Sequence, residues 1–132
     1  MYNNFIKDLN HLYLKDKAFY EKDLKTWEGF DWIDANNRWQ NIFIYERIGN
    51  DPDDRAIVIL NFSKENFEEF RIGVNKEGKY KEILNTNQIK YGGDGQCINE
   101  KTIISEEVDM HGRKNSIKIK IPALSGVVLK YM

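Results

Sequence analysis

Cysteine occurs once in the 132 residues, as Cys97, which excludes an internal disulfide and points to a reducing compartment. Histidine occurs twice, as His11 and His111. These three side chains fall short of the spaced set of three or four nitrogen and sulfur ligands that a zinc site needs. No apolar run approaches the roughly 18 residues of a membrane-spanning helix, and no signal-peptide pattern opens the chain. A soluble, cytoplasmic protein with no membrane partner is the expectation. Charge of one sign does not accumulate either: 20 basic and 21 acidic residues give a net charge of −1, spread over both halves. Without a basic field, a nucleic-acid partner is excluded. Nucleophilic chemistry is equally unsupported. No Gly-x-Ser-x-Gly elbow occurs, no helix start follows Cys97 to lower its pKa, and the one glycine-rich loop lacks the Gly-Lys-Ser/Thr of a phosphate-binding loop. No catalytic residue, cofactor or metal ligand is therefore expected.

What is present begins with an apolar stripe. Phe5, Leu9, Leu12 and Tyr13 recur at helical spacing, and Asn3 or Asn4 can cap the helix they define. A shorter helical piece near 16–23 adds Phe19. Residues 26–40 are rich in aromatics: Trp27, Phe30, Trp32 and Trp39 stand among Asp31, Asp34 and Arg38. Rings beside carboxylates suit sugars, whose C–H faces stack on aromatics while their hydroxyls need planar hydrogen-bonding groups. The competing reading is packing, because each tryptophan buries about 150–250 Å².

From Asn41 the period changes to two. Ile42, Ile44 and Ile48 alternate with Phe43, Tyr45 and Arg47, and Ala56–Phe62 is apolar on both faces, as a central strand requires. Phe67–Val74, Tyr80–Leu84, Thr102–Val108, Ser116–Ile121 and Gly126–Tyr131 complete seven expected strands. In Ser116–Ile121 the three isoleucines point inward and Ser116, Lys118 and Lys120 outward. Pro122 ends that strand, since proline cannot donate to a ladder. Asn50-Asp51-Pro52-Asp53-Asp54 carries enough oxygen ligands to suggest calcium, but matches no EF-hand loop and reads as a turn. Asn61-Phe62-Ser63 matches a glycosylation sequon and reads as a strand end. Seven strands with short turns predict an antiparallel β-sandwich preceded by an N-terminal helical segment.

One stretch organises the rest: Tyr80–Gly95, YKEILNTNQIKYGGDG. A strand feeds the polar turn Asn85-Thr86-Asn87 and then Tyr91-Gly92-Gly93-Asp94-Gly95, whose glycines signal positive φ or close backbone approach. This wording resembles the C-terminal domain of 1,4-α-glucan (glycogen) branching enzymes of the α-amylase superfamily. Leu9–Tyr13 is similar to the last helix of that family's catalytic barrel, Gly29–Asp34 to the entry into its β domain, and His111-Gly112-Arg113 with Ser116 to its closing strands. Lys114-Asn115 and Asp94 depart from the family's usual Pro-His and serine, in positions read as loops.

The resemblance implies two parts: residues 1–25, a helical segment belonging to the end of the barrel, and residues 26–132, a C-terminal α-amylase-type β-sandwich. It implies a non-catalytic, structural role in a glycogen-synthesising glycosyltransferase. The carboxylates that cut an α-1,4 chain and join it to a 6-hydroxyl would lie on a (β/α)8 barrel outside this chain. Phe5, Leu9, Leu12 and Tyr13 would then face that barrel, or allow self-association in its absence. Trp27, Trp32 and Trp39 become candidate contacts to glycogen or another α-glucan, and Tyr91, Gly92, Gly93 and Gly95 form a structural loop. The alternative is an independent carbohydrate-binding β-sandwich module.

Overall fold

The structure is a computed structural model that describes residues 30–37 and 41–132. The helical stripe, His11, Trp27 and Trp39 lie outside the described residues. Eight strands are present: β1 Phe30–Asn37, β2 Ile42–Ile48, β3 Arg55–Asn61, β4 Phe67–Val74, β5 Lys79–Asn85, β6 Ile103–Ile104, β7 Asn115–Ile121 and β8 Ser125–Tyr131. A six-stranded sheet in the order β1-β2-β3-β8-β5-β6 faces a two-stranded sheet of β4 and β7, and every neighbouring pair is antiparallel. The expected sandwich is therefore what forms. No helix among the described residues is long and apolar enough to cross a membrane.

Period-two patterning builds the core. Ile42, Ile44, Ile57, Ile59, Val127 and Leu129 point inward from the large sheet. They meet Phe70, Ile72 and Val74 of β4 and Ile117, Ile119 and Ile121 of β7. Burying each such side chain contributes about 1.5–3 kcal/mol. The two-faced pattern of β3 reflects cover on both sides, with Ile57 and Ile59 on the face toward β4 and β7. Its other face presents Ala56 and Val58 to a second buried cluster with Leu84 and Val128, against which Tyr45, Leu60 and Tyr91 pack.

Four details depart from the sequence reading. β1 is a full strand, hidden in the sequence because two register shifts, at Trp32/Asp34 and Asp34/Asn37, break its alternation. The expected strand over 102–108 shrinks to β6, because the chain changes sheets there. Ile103 and Ile104 pair with Tyr80 and Lys79 of β5, whereas Glu106 bridges Ser116 of β7. No single ladder can hold both. Ser116 keeps the outward parity expected of it yet is fully buried, because Arg71 covers it and donates a 2.6 Å hydrogen bond to its hydroxyl. Asn115 opens β7 instead of lying in a loop.

The two acidic and amide motifs resolve as local structure. In the 50–54 turn the Gly49 N–H donates to the Asp54 carbonyl at 2.8 Å and the Asp53 N–H to the Asp51 carboxylate at 3.0 Å. Asn61 is 1% exposed, and its amide donates to the carbonyls of Glu65 and Pro122. That sequon is occupied by the fold and marks the end of β3.

Candidate functional site

The outer face of the six-stranded sheet carries the features the sequence singled out. Beyond β5 the chain turns at Thr86–Gln88, makes a 3-10 turn at Ile89–Tyr91, and passes through the glycines. Asn87 is the node of this loop. Its amide donates to the Asp94 carboxylate at 2.6 Å and the Gln96 carbonyl at 3.0 Å, and its own carbonyl accepts from the Gly95 N–H at 2.9 Å. Hydrogen bonds from the Gln96 N–H and the Asn87 amide hold the Asp94 carboxyl below its ordinary pKa. Gly92 has φ 90° and Gly95 φ 77°, the left-handed region in which a side chain is strained. Gly93 is required for another reason. A Cβ there would run into the Asn87 backbone.

The result is that Tyr91 packs against the second cluster, while Lys90 sits above its ring at 5.0 Å. The base of the loop is tied by Glu82, whose Oε1 accepts from the side-chain amides of Asn85 and Asn99, each at 2.9 Å. Burial pushes the Glu82 carboxyl above its ordinary range, against those hydrogen bonds.

Beside the loop, the same face is aromatic. Trp32 of β1 is 49% exposed, with its ring edge-on to Tyr45 at 5.7 Å. Phe43, two residues before Tyr45 and on the same face of β2, meets Phe62 at 5.8 Å. Phe62 is exposed. Burial raises the pKa of the Tyr45 hydroxyl, and Arg47 partly opposes the shift. Two edge-to-face ring pairs thus meet on β2, one with β1 and one with the residue after β3, with one half-exposed ring in each. Of the three tryptophans singled out from the sequence, Trp32 is the one among the described residues. Phe43, Tyr45 and Phe62 were legible only as strand residues, because the pairing of β1, β2 and β3 is what assembles them.

At the open edge of the sandwich, the His111-Gly112-Arg113 motif forms a two-residue hairpin turn. Met110 and Arg113 exchange both backbone hydrogen bonds, at 3.0 and 2.9 Å, and His111 and Gly112 take φ of 52° and 74°. Arg113 donates to Asp31 of β1 at 2.8 Å and to the Asn75 side-chain oxygen at 3.0 Å. The Asn75 amide reaches both Asp31 and Glu46. Glu46 is completely buried and paired to Arg55 at 2.8 Å. This network was not anticipated. Its signal was a glutamate at an inward parity of β2, where Ile42 and Ile44 set the pattern.

The chemistry available is limited. Among the described residues no group of three His, Cys, Asp or Glu side chains is placed to hold a metal. Burial and the neighbouring Glu68 carboxylate push the Cys97 thiol up, which disfavours the nucleophilic thiolate. An open groove of about 540 Å³ runs beside the loop, past Cys97, Asn99, Lys118 and Lys120.

Residues 32–132 match the family model described as "Alpha amylase, C-terminal all-beta domain". The chain belongs to that family. Along 98% of its length this C-terminal all-β domain is 42% identical to the 1,4-alpha-glucan branching enzyme GlgB of Desulfitobacterium hafniense. It is 40% identical over 92% of its length to the protein of the same name from Oceanobacillus iheyensis, and 33% over 96% to that of Clostridium perfringens. The domain spans only about a fifth of those relatives, between 19% and 20% of each. Its fold superposes on 20% of the crystal structure of the alpha-amylase from H.orenii with a TM-score of 0.52, at 20% identity and over 98% of the domain.

Proposed function

We propose that the chain is the C-terminal, non-catalytic β domain of a cytoplasmic 1,4-α-glucan branching enzyme. The supporting observation is 42% identity over 98% of the chain to a protein of that name, of which it spans 20%. In this reading residues 1–25 are the helical end of a catalytic (β/α)8 barrel and residues 26–132 the β domain. The stripe Phe5, Leu9, Leu12 and Tyr13 is the face toward that barrel. The parent cuts an α-1,4 chain and transfers it to a 6-hydroxyl with a pair of barrel carboxylates, and this chain contributes neither. Its role is structural. Incubation of the 132-residue chain with amylose is expected to leave the iodine colour and the number of reducing ends unchanged. Turnover that copurifies with the chain and scales with its concentration would defeat this reading.

A second reading, a carbohydrate-binding module, is favoured by the two ring pairs on the outer face, with Trp32 and Phe62 each exposed. The two readings are compatible if the domain also holds the parent's glucan. Sugar stacking on one aromatic ring contributes little, so binding is expected to be weak and visible only against a polymer. In native gels containing glycogen, the chain is expected to be retarded, and Trp32→Ala to lose most of that retardation. Equal migration with and without glycogen would leave the rings as packing alone.

A further inference from the structure

The hairpin at His111 joins two strands of different sheets, and it does so through an atom whose role changes with protonation. The Gly73 N–H of β4 donates to His111 Nδ1 at 3.1 Å. Nδ1 is therefore the unprotonated nitrogen and Nε2 carries the proton, facing the Asp34 carboxylate of β1 at 3.5 Å. The contact on β4 is tight: a Cβ on Gly73 would collide with the Met110 carbonyl. We propose that His111 is a proton-dependent latch, which in its neutral form fastens the edge strand β1 to β4 of the facing sheet and on protonation lets that edge loosen.

The balance of contacts decides the direction. A proton on Nδ1 turns the acceptor into a donor facing another donor, and the amide of the buried Gly73 loses its partner. The gain on the other side is small, because the approach to Asp34 is long for a charge-assisted hydrogen bond. Among the described residues the charged groups acting on the ring are Asp34 on β1 and Arg113 on its own hairpin, while β4 offers an uncharged amide. Burial lowers the His111 pKa below the ordinary 6.5, with Asp34 opposing the shift and Arg113 adding to it. A depressed histidine pKa means that the unfolded chain takes up protons first. The contribution to stability is therefore complete above pH 6.5 and is lost as pH falls through the lower native value. Strand β1 follows directly on residues 1–29, so loosening it frees the point at which the chain enters the sandwich.

The test is amide hydrogen exchange on the whole chain, corrected for intrinsic rates, between about pH 5 and pH 7.5 where histidine titrates. Protection of Gly73 and of the β1 amides is expected to fall several-fold on acidification, while β3 and β8 hold. In His111→Asn the side-chain oxygen can accept from Gly73 at every pH, and asparagine tolerates the positive φ. Its protection is expected to stay level. A wild type whose β1 protection is flat, or an asparagine variant as pH-sensitive as the wild type, overturns the latch. Should the variant fail to fold, the wild-type NMR titration decides. The Gly73 amide shift must follow the His111 ring with one midpoint, and a silent amide overturns the proposal.

Discussion

Alanine at Gly93 is expected to cost about 1–3 kcal/mol, toward the upper end, in the manner of an overpacked core position. The added Cβ would fall within contact of the oxygen, carbon and Cα of Asn87. All three are backbone, so no rotamer change can relieve the clash. Moving Asn87 strains the bonds it makes to Asp94, Gln96 and Gly95, and with them the approach of Tyr91 to the sheet. Gly92→Ala provides the comparison. Gly92 sits at φ 90°, so its cost comes from backbone strain of about 1–2 kcal/mol. Both variants should lower the urea midpoint with little change in the slope m, and Gly93→Ala should lower it further. A Gly93→Ala midpoint equal to wild type would show that the loop yields freely and that its glycines do not hold Tyr91 in place.

That contrast illustrates what the sequence could convey. Three glycines in four positions announced an ordered loop, but one need is steric and two are dihedral, and only the path of the backbone past Asn87 separates them. The strands β2, β7 and β8 were legible because the period of two survives intact, β4 because Phe70, Ile72 and Val74 still alternate beyond its irregularity at Phe67/Phe70, and β3 because apolar residues run along both its faces. β1 was not, because two bulges shift its register and place Asp31 and Asp34 among its aromatics. β6 was overextended because one strand was read on to Val108 across Ser105–Glu107, where the chain leaves one sheet for the other. Sheet order was out of reach. The central pairing of β3 with β8 joins segments about half the chain apart, and no local pattern encodes it. The same holds for the outer face. Trp32 stood out by density of aromatics, yet its partner Tyr45 became visible only through the pairing of β1 with β2.

Removing the cation beside Glu46 should give the other large loss. Glu46 is 0% exposed, Arg55 Nη1 donates to its Oε1 at 2.8 Å, and Asn75 donates to the same oxygen at 2.9 Å. Oε2 is buried without a hydrogen-bond partner among the described residues. Arg55→Met leaves a buried carboxylate with a single amide for compensation, a change that typically costs about 3–5 kcal/mol. The pair is nevertheless not an efficient source of stability, because desolvating both charges offsets much of their attraction and one carboxylate oxygen remains unsatisfied. Glu46→Met/Arg55→Met removes both charges and keeps apolar volume at a position flanked by Ile44 and Ile57 of the core. The double variant is therefore expected to be more stable than Arg55→Met alone. What it loses is direction: Asn75 retains Asp31 and Arg113 but no longer anchors them to β2. Denaturation of the two single variants and the double variant in one cycle measures the coupling, and exchange of the β1 amides reads the loosening. A double variant as unstable as Arg55→Met would mean that the buried pair stabilises the sandwich outright, contrary to the role of orienting its edge.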